Sequence, residues 1–499
     1  MKINLPRISQ ILFFIAFLAL FVTTDYRGKD EISVALNSFF RSDPLVAVSY
    51  LLSAKTFTLL LLPGLLLLLF SAILGRFFCG WICPLGTIID LITDRIKKRS
   101  PLSFLKGNLK YYLLLAILFA ALFNMNLTGI LDPLAILVRF LTFAFYPLFG
   151  FLGKEGWVGL YKVLGDSRDY LEPGYNLFKN YFLPFRDTLY PLAFLSLLFF
   201  LGILVLEKFE RRNWCKNLCP LGTLLGLAAR FSLFRRVPGR LCADCGDCKV
   251  HCPTAFDEEI LQKSDCILCL ECQRKCPSRR VGFKFAIDRG TKKPFFPGRR
   301  VFVAGLVSGL FVSRIFTPNS SLSQTRLLRP PGVRDEDDFL RKCVRCGECI
   351  KVCLRSALYP VSLQAGLYGL YTPTIVPRLG YCEYNCSLCG QVCPTGAIPR
   401  LPLEEKKKAV IGKAVFDRSH CLPFAKKMNC MVCEEHCPIP EKAIRFESVD
   451  ETDYTGKRIV IKRPYVVEDL CNGCGICEYV CPLEEKAGIE VFKRAKRKI

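Results

Sequence analysis

Twenty-eight cysteines among 499 residues fall in tight runs, many of them closing on Cys-Pro. Disulfide scaffolds scatter their cysteines, whereas three thiols within one short loop suit a metal group held by thiolates. A Cys-x2-Cys-x2-Cys loop gives three thiolates to a 4Fe-4S cluster, and a more distant Cys followed by Pro gives the fourth. Cys242, Cys245, Cys248 and Cys252 match that pattern, as do Cys266, Cys269, Cys272 and Cys276, each set ending at a proline. Fourth ligands cross over in a two-cluster ferredoxin, so Cys276 is expected to complete the first loop and Cys252 the second. Four more sets follow: Cys343, Cys346, Cys349, Cys353; Cys382, Cys386, Cys389, Cys393; Cys421, Cys430, Cys433, Cys437; and Cys471, Cys474, Cys477, Cys481. Six sets absorb 24 of the 28 cysteines and predict six 4Fe-4S clusters.

Three sets depart from the pattern. Cys353 precedes Leu354 rather than Pro, which removes a turn restraint and leaves the ligand. Eight residues separate Cys421 from Cys430, so a loop replaces the tight turn. Cys382-x3-Cys386-x2-Cys389 has a spacing that resembles radical S-adenosylmethionine enzymes, but Cys393-Pro394 follows at ferredoxin spacing and the chain has no room for that family's barrel. The remaining four cysteines sit in an internal repeat, Cys79-Gly-Trp-Ile-Cys83-Pro84-Leu85-Gly86-Thr87 and Cys215-Lys-Asn-Leu-Cys219-Pro220-Leu221-Gly222-Thr223. Each pair, at i and i+4, lies on one side of a helical turn. Three readings stand for Cys79, Cys83, Cys215 and Cys219: a jointly held seventh metal centre, redox dithiols, or structural thiols. The three histidines, His251, His420 and His436, lie outside the apolar stretches, which excludes membrane haem with paired His ligands.

These ligands need elements to hold them. The chain is 51% hydrophobic with a mean hydropathy of +0.29, which places part of it in a membrane. Four stretches reach the length a bilayer needs: Ile8 to Thr24, Phe57 to Gly75, Tyr111 to Gly129 and Tyr190 to Leu206. The 25–56 and 130–188 connections balance their charges, while 76–110 holds seven basic against two acidic residues and 207–300 twenty against ten. The basic connections read as cytoplasmic, so both termini of this bundle and both cysteine repeats fall on the inner side. Leu134 to Phe151 is also apolar, but Asp132-Pro133, Arg139 and Pro147 mark it as an interfacial or re-entrant segment on the outer side. A shorter apolar run, Val301 to Phe316, follows Arg299-Arg300 and is close to a twin-arginine export signal. With no clear cleavage site after it, the run reads as an uncleaved fifth anchor; the plainer alternative is a helix with a basic flank that stays inside.

Residues 1 to about 290 resemble the NapH-type membrane quinol dehydrogenase subunit, whose core NosR-type regulators share. Residues 299 to 499, from Arg299-Arg300 through Leu328-Arg329-Pro330-Pro331-Gly332 and Cys343-Val344-Arg345-Cys346-Gly347, resemble the exported four-cluster ferredoxins of the NapG and MauM type. The resemblance implies passage of electrons from membrane quinol to a periplasmic redox enzyme. It also implies that the first set exchanges its fourth ligand with the fourth set, and the second with the third. Cys481 would then complete Cys343, Cys346 and Cys349; Cys353 would complete Cys471, Cys474 and Cys477. Cys437 would complete Cys382, Cys386 and Cys389, and Cys393 would complete Cys421, Cys430 and Cys433.

The expected architecture is therefore an α-helical membrane bundle, four spans plus a fifth anchor helix, carrying α+β ferredoxin-like 4Fe-4S domains. Its divisions are a membrane domain at 1–236, a cytoplasmic two-cluster ferredoxin at 237–298, an anchor and linker at 299–330, and a periplasmic four-cluster domain at 331–499. It would sit in a bacterial inner membrane, take electrons from the quinol pool, and pass them to a periplasmic redox enzyme or multihaem cytochrome. An electron relay from a cytoplasmic donor, or a maturation factor for an exported metalloenzyme, is the alternative. Between 317 and 499, 29 basic residues against 22 acidic would favour an acidic partner. The net charge of +25 lies mostly in membrane flanks without an aromatic-basic recognition motif, so no nucleic acid is expected. Trp81, Asp132 and Arg139 are weak candidates for a quinone pocket.

Overall fold

The structure is a computed structural model. It describes residues 4–93, 109–164, 172–181, 188–238, 245, 248, 251–254, 263–277, 280–286, 299–315 and 327–493, apart from 27, 29, 33, 365 and 453–455. Ten helices organise the first part: α1 (Leu5–Thr23), α2 (Pro44–Ala54), α3 (Leu62–Leu74), α4 (Pro84–Thr93), α5 (Leu109–Leu122), α6 (Pro133–Phe140), α7 (Tyr146–Leu164), α8 (Ala193–Leu206), α9 (Pro220–Ala229) and α10 (Arg299–Ile315).

The internal repeat is longer than its cysteines. Each half holds a long helix, a short helix opened by Asp-Pro-Leu, a second long helix, and a short helix opened by Cys-Pro-Leu-Gly-Thr. Asp43 caps α2 by accepting from the Leu45 and Val46 amides at 2.7 and 3.2 Å, and Asp132 caps α6 by accepting from Ala135 at 2.8 Å. Cys83 and Cys219 do the same for α4 and α9, their Sγ atoms accepting from the Gly86 and Gly222 amides at 3.4 and 3.3 Å. Proline at the first helical position fits because that residue's missing N–H has no intrahelical partner to lose. The short helices cross between halves, α2 against α9 and α6 against α4.

The long helices connect two differently covered ends. At the near end, residues 263–286 pack: Ser9 and Gln10 of α1 bond Trp81 and Asp90, and Lys110 of α5 bonds Asp265 at 2.8 Å. At the far end, residues 327–493 pack: Lys351 donates to the Thr24 carbonyl after α1, Tyr368 to the Asn124 carbonyl after α5, and Ser196 of α8 to Tyr371. So α1 and α5 run from near to far and α8 runs back. α10 is parallel to α5, because Gly305 lies on Leu115 and Gly309 on Phe119, where a Cβ would come within 2.7 and 2.5 Å of those side chains. Small residues four apart let two helices approach closely.

Two helices, Leu5–Thr23 and Pro133–Val163, are long and apolar enough to cross a membrane. The other three expected spans form shorter helices, Leu59–Leu74, Leu109–Leu122 and Ala193–Leu206. A left-handed residue at Asn124 ends one of them, Leu109–Leu122, before the expected Gly129. The segment expected to be interfacial thus belongs to one of the two long helices. It bends there through a π-helical turn at Leu141–Phe145, and 56% of its most apolar window is buried in protein.

The polar modules are built on short antiparallel pairs. β1 (Phe234–Pro238) pairs with β2 (Val281–Phe285) beside the near end. In the far module β3 (Leu358–Pro360) pairs with β4 (Pro373–Ile375), β5 (Lys413–Phe416) with β8 (Ile489–Phe492), and β6 (Ile444–Thr452) with β7 (Arg458–Val466). One hydrophobic core runs from Ile267 through the bundle to Val344 and Cys346, joining both modules to the helices.

Candidate iron-sulfur sites

The Cys-x2-Cys-x2-Cys loops curl because the residues flanking their second cysteine adopt left-handed backbone. These are Leu268 and Leu270, Arg345 and Gly347, and Gly473 and Gly475. Left-handed conformation is costly for leucine and arginine, so their loops are held by what surrounds them. Arg345, 1% exposed, anchors its loop by donating to the Leu370 and Tyr368 carbonyls at 3.2 and 2.8 Å. A one-turn helix then carries the third cysteine: Glu271–Arg274, Glu348–Lys351, Leu388–Gln391, Val432–Glu435 and Ile476–Tyr479.

The far module corrects the ligand exchange that the resemblance implied. Cys343, Cys346 and Cys349 lie within electrostatic reach of Cys393, and Cys386 and Cys389 within reach of Cys353. Cys421 adjoins Cys481, while Cys474 adjoins Cys437. The fourth cysteines of neighbouring sets thus stand beside each other's loops, first with second and third with fourth, rather than first with fourth and second with third. The hairpin β3–β4 lies between the first and second sets and β6–β7 between the third and fourth, each folding one set back onto its neighbour.

The four sites form a row. Cys349 feels Cys389, the Cys382 amide donates to the Cys474 carbonyl at 2.9 Å, and Cys477 feels Cys433. In the near module Cys252 lies beside Cys266, Cys269 and Cys272, as expected. Cys242 lies outside the described residues, so its site with Cys245, Cys248 and Cys276 is not described.

The donor set suits iron-sulfur groups. A cavity of about 360 Å³ is walled by all of Cys421, Cys430, Cys433 and Cys481 together with Phe416, Val432 and Pro464. Burial pushes the Cys421, Cys433 and Cys474 thiols up to about 12, so these sites carry protons that metal binding displaces. Among the described residues, no three Cys, His, Asp or Glu side chains close on a single ion. A cubane, which binds each thiolate through a different iron, spreads its ligands farther apart than a mononuclear site does.

The structure also brings Cys79, Cys83, Cys215 and Cys219 together in the core, each within electrostatic reach of others in the group. Two arginines that the sequence reading passed over lock this quartet. Arg76 precedes Cys79 by three positions and Arg212 precedes Cys215 by three. Arg76 Nη2 donates to the Cys215 carbonyl at 3.3 Å, and Arg212 Nη1 to the Cys79 carbonyl at 2.9 Å, so each repeat braces the other. Arg212, fully buried, also grips Asp90 through Nε and Nη2 at 2.9 and 2.6 Å. The signal was present as Arg-x2-Cys-x3-Cys-Pro in both copies.

Both ends of the bundle receive a cluster loop by the same device. At the near end the Ile267 carbonyl rests on Gly80, where a Cβ would stand 2.1 Å away, and Trp81 Nε1 donates to the Leu268 carbonyl at 3.0 Å. At the far end the Val344 carbonyl rests on Gly129, with 1.8 Å for a Cβ, and Arg139 Nη1 donates to the Arg345 carbonyl at 3.3 Å. Trp81 and Arg139 thus dock cluster loops, and Asp132 caps a helix. None of the three lines the open far-end cavity described below.

Serial cluster loops on a helical scaffold define the class, an iron-sulfur polyferredoxin of the electron-transfer kind. The 4Fe-4S binding domain model matches residues 56–103 and 192–240, one copy on each cysteine repeat. The 4Fe-4S dicluster domain model matches 426–484, which holds most of the third set and all of the fourth. Methylamine utilization ferredoxin-type protein MauM of Methylorubrum extorquens is 37% identical over 213 residues, 40% of this chain and 92% of that protein. Ferredoxin-type protein NapG of Escherichia coli is 40% identical over 162 residues, 32% of this chain and 68% of that protein. Ferredoxin-type protein NapH of Haemophilus influenzae is 27% identical over 307 residues, 56% of this chain and 89% of that protein. No solved structure matches. The chain belongs to the NapH/NapG-type polyferredoxins, the family of ferredoxin-type proteins that includes MauM.

Proposed function

We propose that this protein is a membrane-embedded quinol dehydrogenase component that passes electrons through 4Fe-4S clusters to an acceptor outside the cytoplasm. The observation that carries the reading is the docking of one cluster module at each end of the helical bundle, Ile267 on Gly80 and Val344 on Gly129. A bundle whose two ends hold different electron carriers is arranged for transfer between two compartments. In this reading α1, α3, α5 and α8 are the four crossings, with flanking non-helical residues making up their length, and α10 is the fifth. The 24 cysteines of the six sets ligate six clusters. The quartet of Cys79, Cys83, Cys215 and Cys219 ligates a seventh, between the two repeats.

The clusters supply one-electron storage, and the chain supplies spacing, burial and charge. Electrons leave by the site of Cys421, Cys430, Cys433 and Cys481, the last in the row, where exposed Met428, Met431 and Val460 adjoin Lys427 and Lys462. A docking face of that kind suits an acidic redox partner such as a periplasmic oxidoreductase or multihaem cytochrome.

A second reading is an electron relay from a cytoplasmic donor through the near module without quinol turnover. The arginine-braced quartet beside that module favours it. Protease protection in sealed cells tests the arrangement: residues 327–493 are cleaved from outside and residues 76–93 are protected. Protection of both overturns it.

A further inference from the structure

The far end holds an open cleft, with about 430 Å³ of empty space counting what opens to solvent, where the bundle meets the four-cluster module. Its walls are Asp25, Tyr26, Thr142, Tyr146, Pro147, Thr188, Tyr190, Lys351, Cys353, Leu354 and Ser356. Of the second cluster's ligands only Cys353 reaches it, so it is not the seat of that cluster, unlike the cavity walled by four cysteines. Thr142 is 2% exposed, lines the cavity, and its Oγ1 has no hydrogen-bond partner. A buried hydroxyl left unpaired is costly and calls for a partner. Thr142 also sits on the π-helical turn at Leu141–Phe145, a distortion that concentrates at functional sites.

Asp25 stands in the same cavity, receiving the Tyr146 hydroxyl at 3.0 Å with Lys351 Nζ 3.8 Å away. Three tyrosines supply flat aromatic surface. Exposed leucines adjoin its lining residues in sequence: Leu189, between Thr188 and Tyr190, is 90% exposed, and Leu148, next to Pro147, is 55% exposed.

We propose that this cavity binds the ring of a lipophilic quinol, with Thr142 and Asp25 as its two polar contacts. The inference rests on the quinol reading above and gives that reading a place. Thr142 Oγ–H donates to one ring oxygen, and the Asp25 carboxylate accepts from the hydroxyl at the other. On oxidation both O–H bonds break and the ring becomes the quinone. One proton passes to Asp25 and the other to water at the mouth. The two electrons would leave singly towards the group held by Cys353 with Cys382, Cys386 and Cys389, the first moving on along the row to the site of Cys471, Cys474, Cys477 and Cys437 before the second follows.

Photolabelling of the detergent-solubilised holoprotein with an azido-substituted short-chain ubiquinone tests this without turnover. Label is expected in peptides covering 142–147 or 188–190, displaced by decylubiquinol. Thr142→Val and Asp25→Asn should each weaken labelling about tenfold, the loss of one hydrogen bond, with iron content and the dithionite-reduced spectrum unchanged. Label elsewhere while quinol still reduces the wild-type clusters overturns the site and leaves the functional reading standing. Displacement by a fatty acid as effective as by quinol also overturns it, in favour of a lipid pocket. Clusters that dithionite reduces and quinol does not would overturn the functional reading itself.

Discussion

At the residue scale the ligand exchange is the sharpest departure from expectation. Cys353→Ala is expected to remove the same paramagnetic signal from the reduced protein as Cys382→Ala, and a different one from Cys471→Ala. Shared loss between Cys353→Ala and Cys471→Ala would restore the exchange implied by the resemblance. A second residue effect concerns Glu336, which receives Arg329 and, at 3.0 Å, Lys493. Burial opposes its charge, but the two cations hold its carboxyl below the usual range. A depressed folded pKa stabilises above the unfolded value of about 4.3 and loses that stabilisation only as pH falls further. Glu336→Gln should therefore destabilise the fold by roughly 2 kcal/mol, read as a lower thermal midpoint of cluster bleaching whose shift is constant from pH 8 to pH 5. A difference that fades by pH 5 would contradict the ion pair. The cysteine ligands were legible because thiolate chemistry demands tight spacing. Arg76 and Arg212 were not, because a lone arginine beside a span reads as a topology signal until the fold brings the repeats face to face.

At the element scale, the paired long helices and the cysteine repeats could be read from hydropathy and motif. The matching Asp43-Pro44-Leu45 and Asp132-Pro133-Leu134 caps were equally visible as residues, but a match of three residues stands out only once the helices they open are seen to be equivalent. The Tyr111–Gly129 stretch outruns its helix for a physical reason: apolar character continues past Asn124, where the backbone turns left-handed after the helix has stopped. The seating of α10 was partly legible in Gly305 and Gly309. Gly305→Leu should push α10 off Leu115 and lower the thermal midpoint of the solubilised protein, an overpacking cost of about 1–3 kcal/mol. An unchanged midpoint with full iron content would argue against that packing. Gly129→Leu should similarly displace the Val344 carbonyl and lower the thermal midpoint of the solubilised protein.

For the whole molecule, charge and repeats indicated two modules on a bundle, but not that both modules dock through the same carbonyl-on-glycine contact. That symmetry arises from tertiary contacts between segments more than 180 positions apart, as for Trp81 and Leu268, which no local pattern records. It leaves a row of sites in the far module, entered beside the bundle and ending at Cys421, Cys430, Cys433 and Cys481. The most direct test of the central claim is reduction of an impermeant acceptor, ferricyanide, by proteoliposomes carrying a lipid-soluble quinol. The account predicts that quinol drives ferricyanide reduction on the side exposing residues 327–493 and that Cys481→Ala abolishes it while quinol still reduces the remaining clusters. Clusters that stay oxidised with quinol yet reduce with dithionite would contradict it.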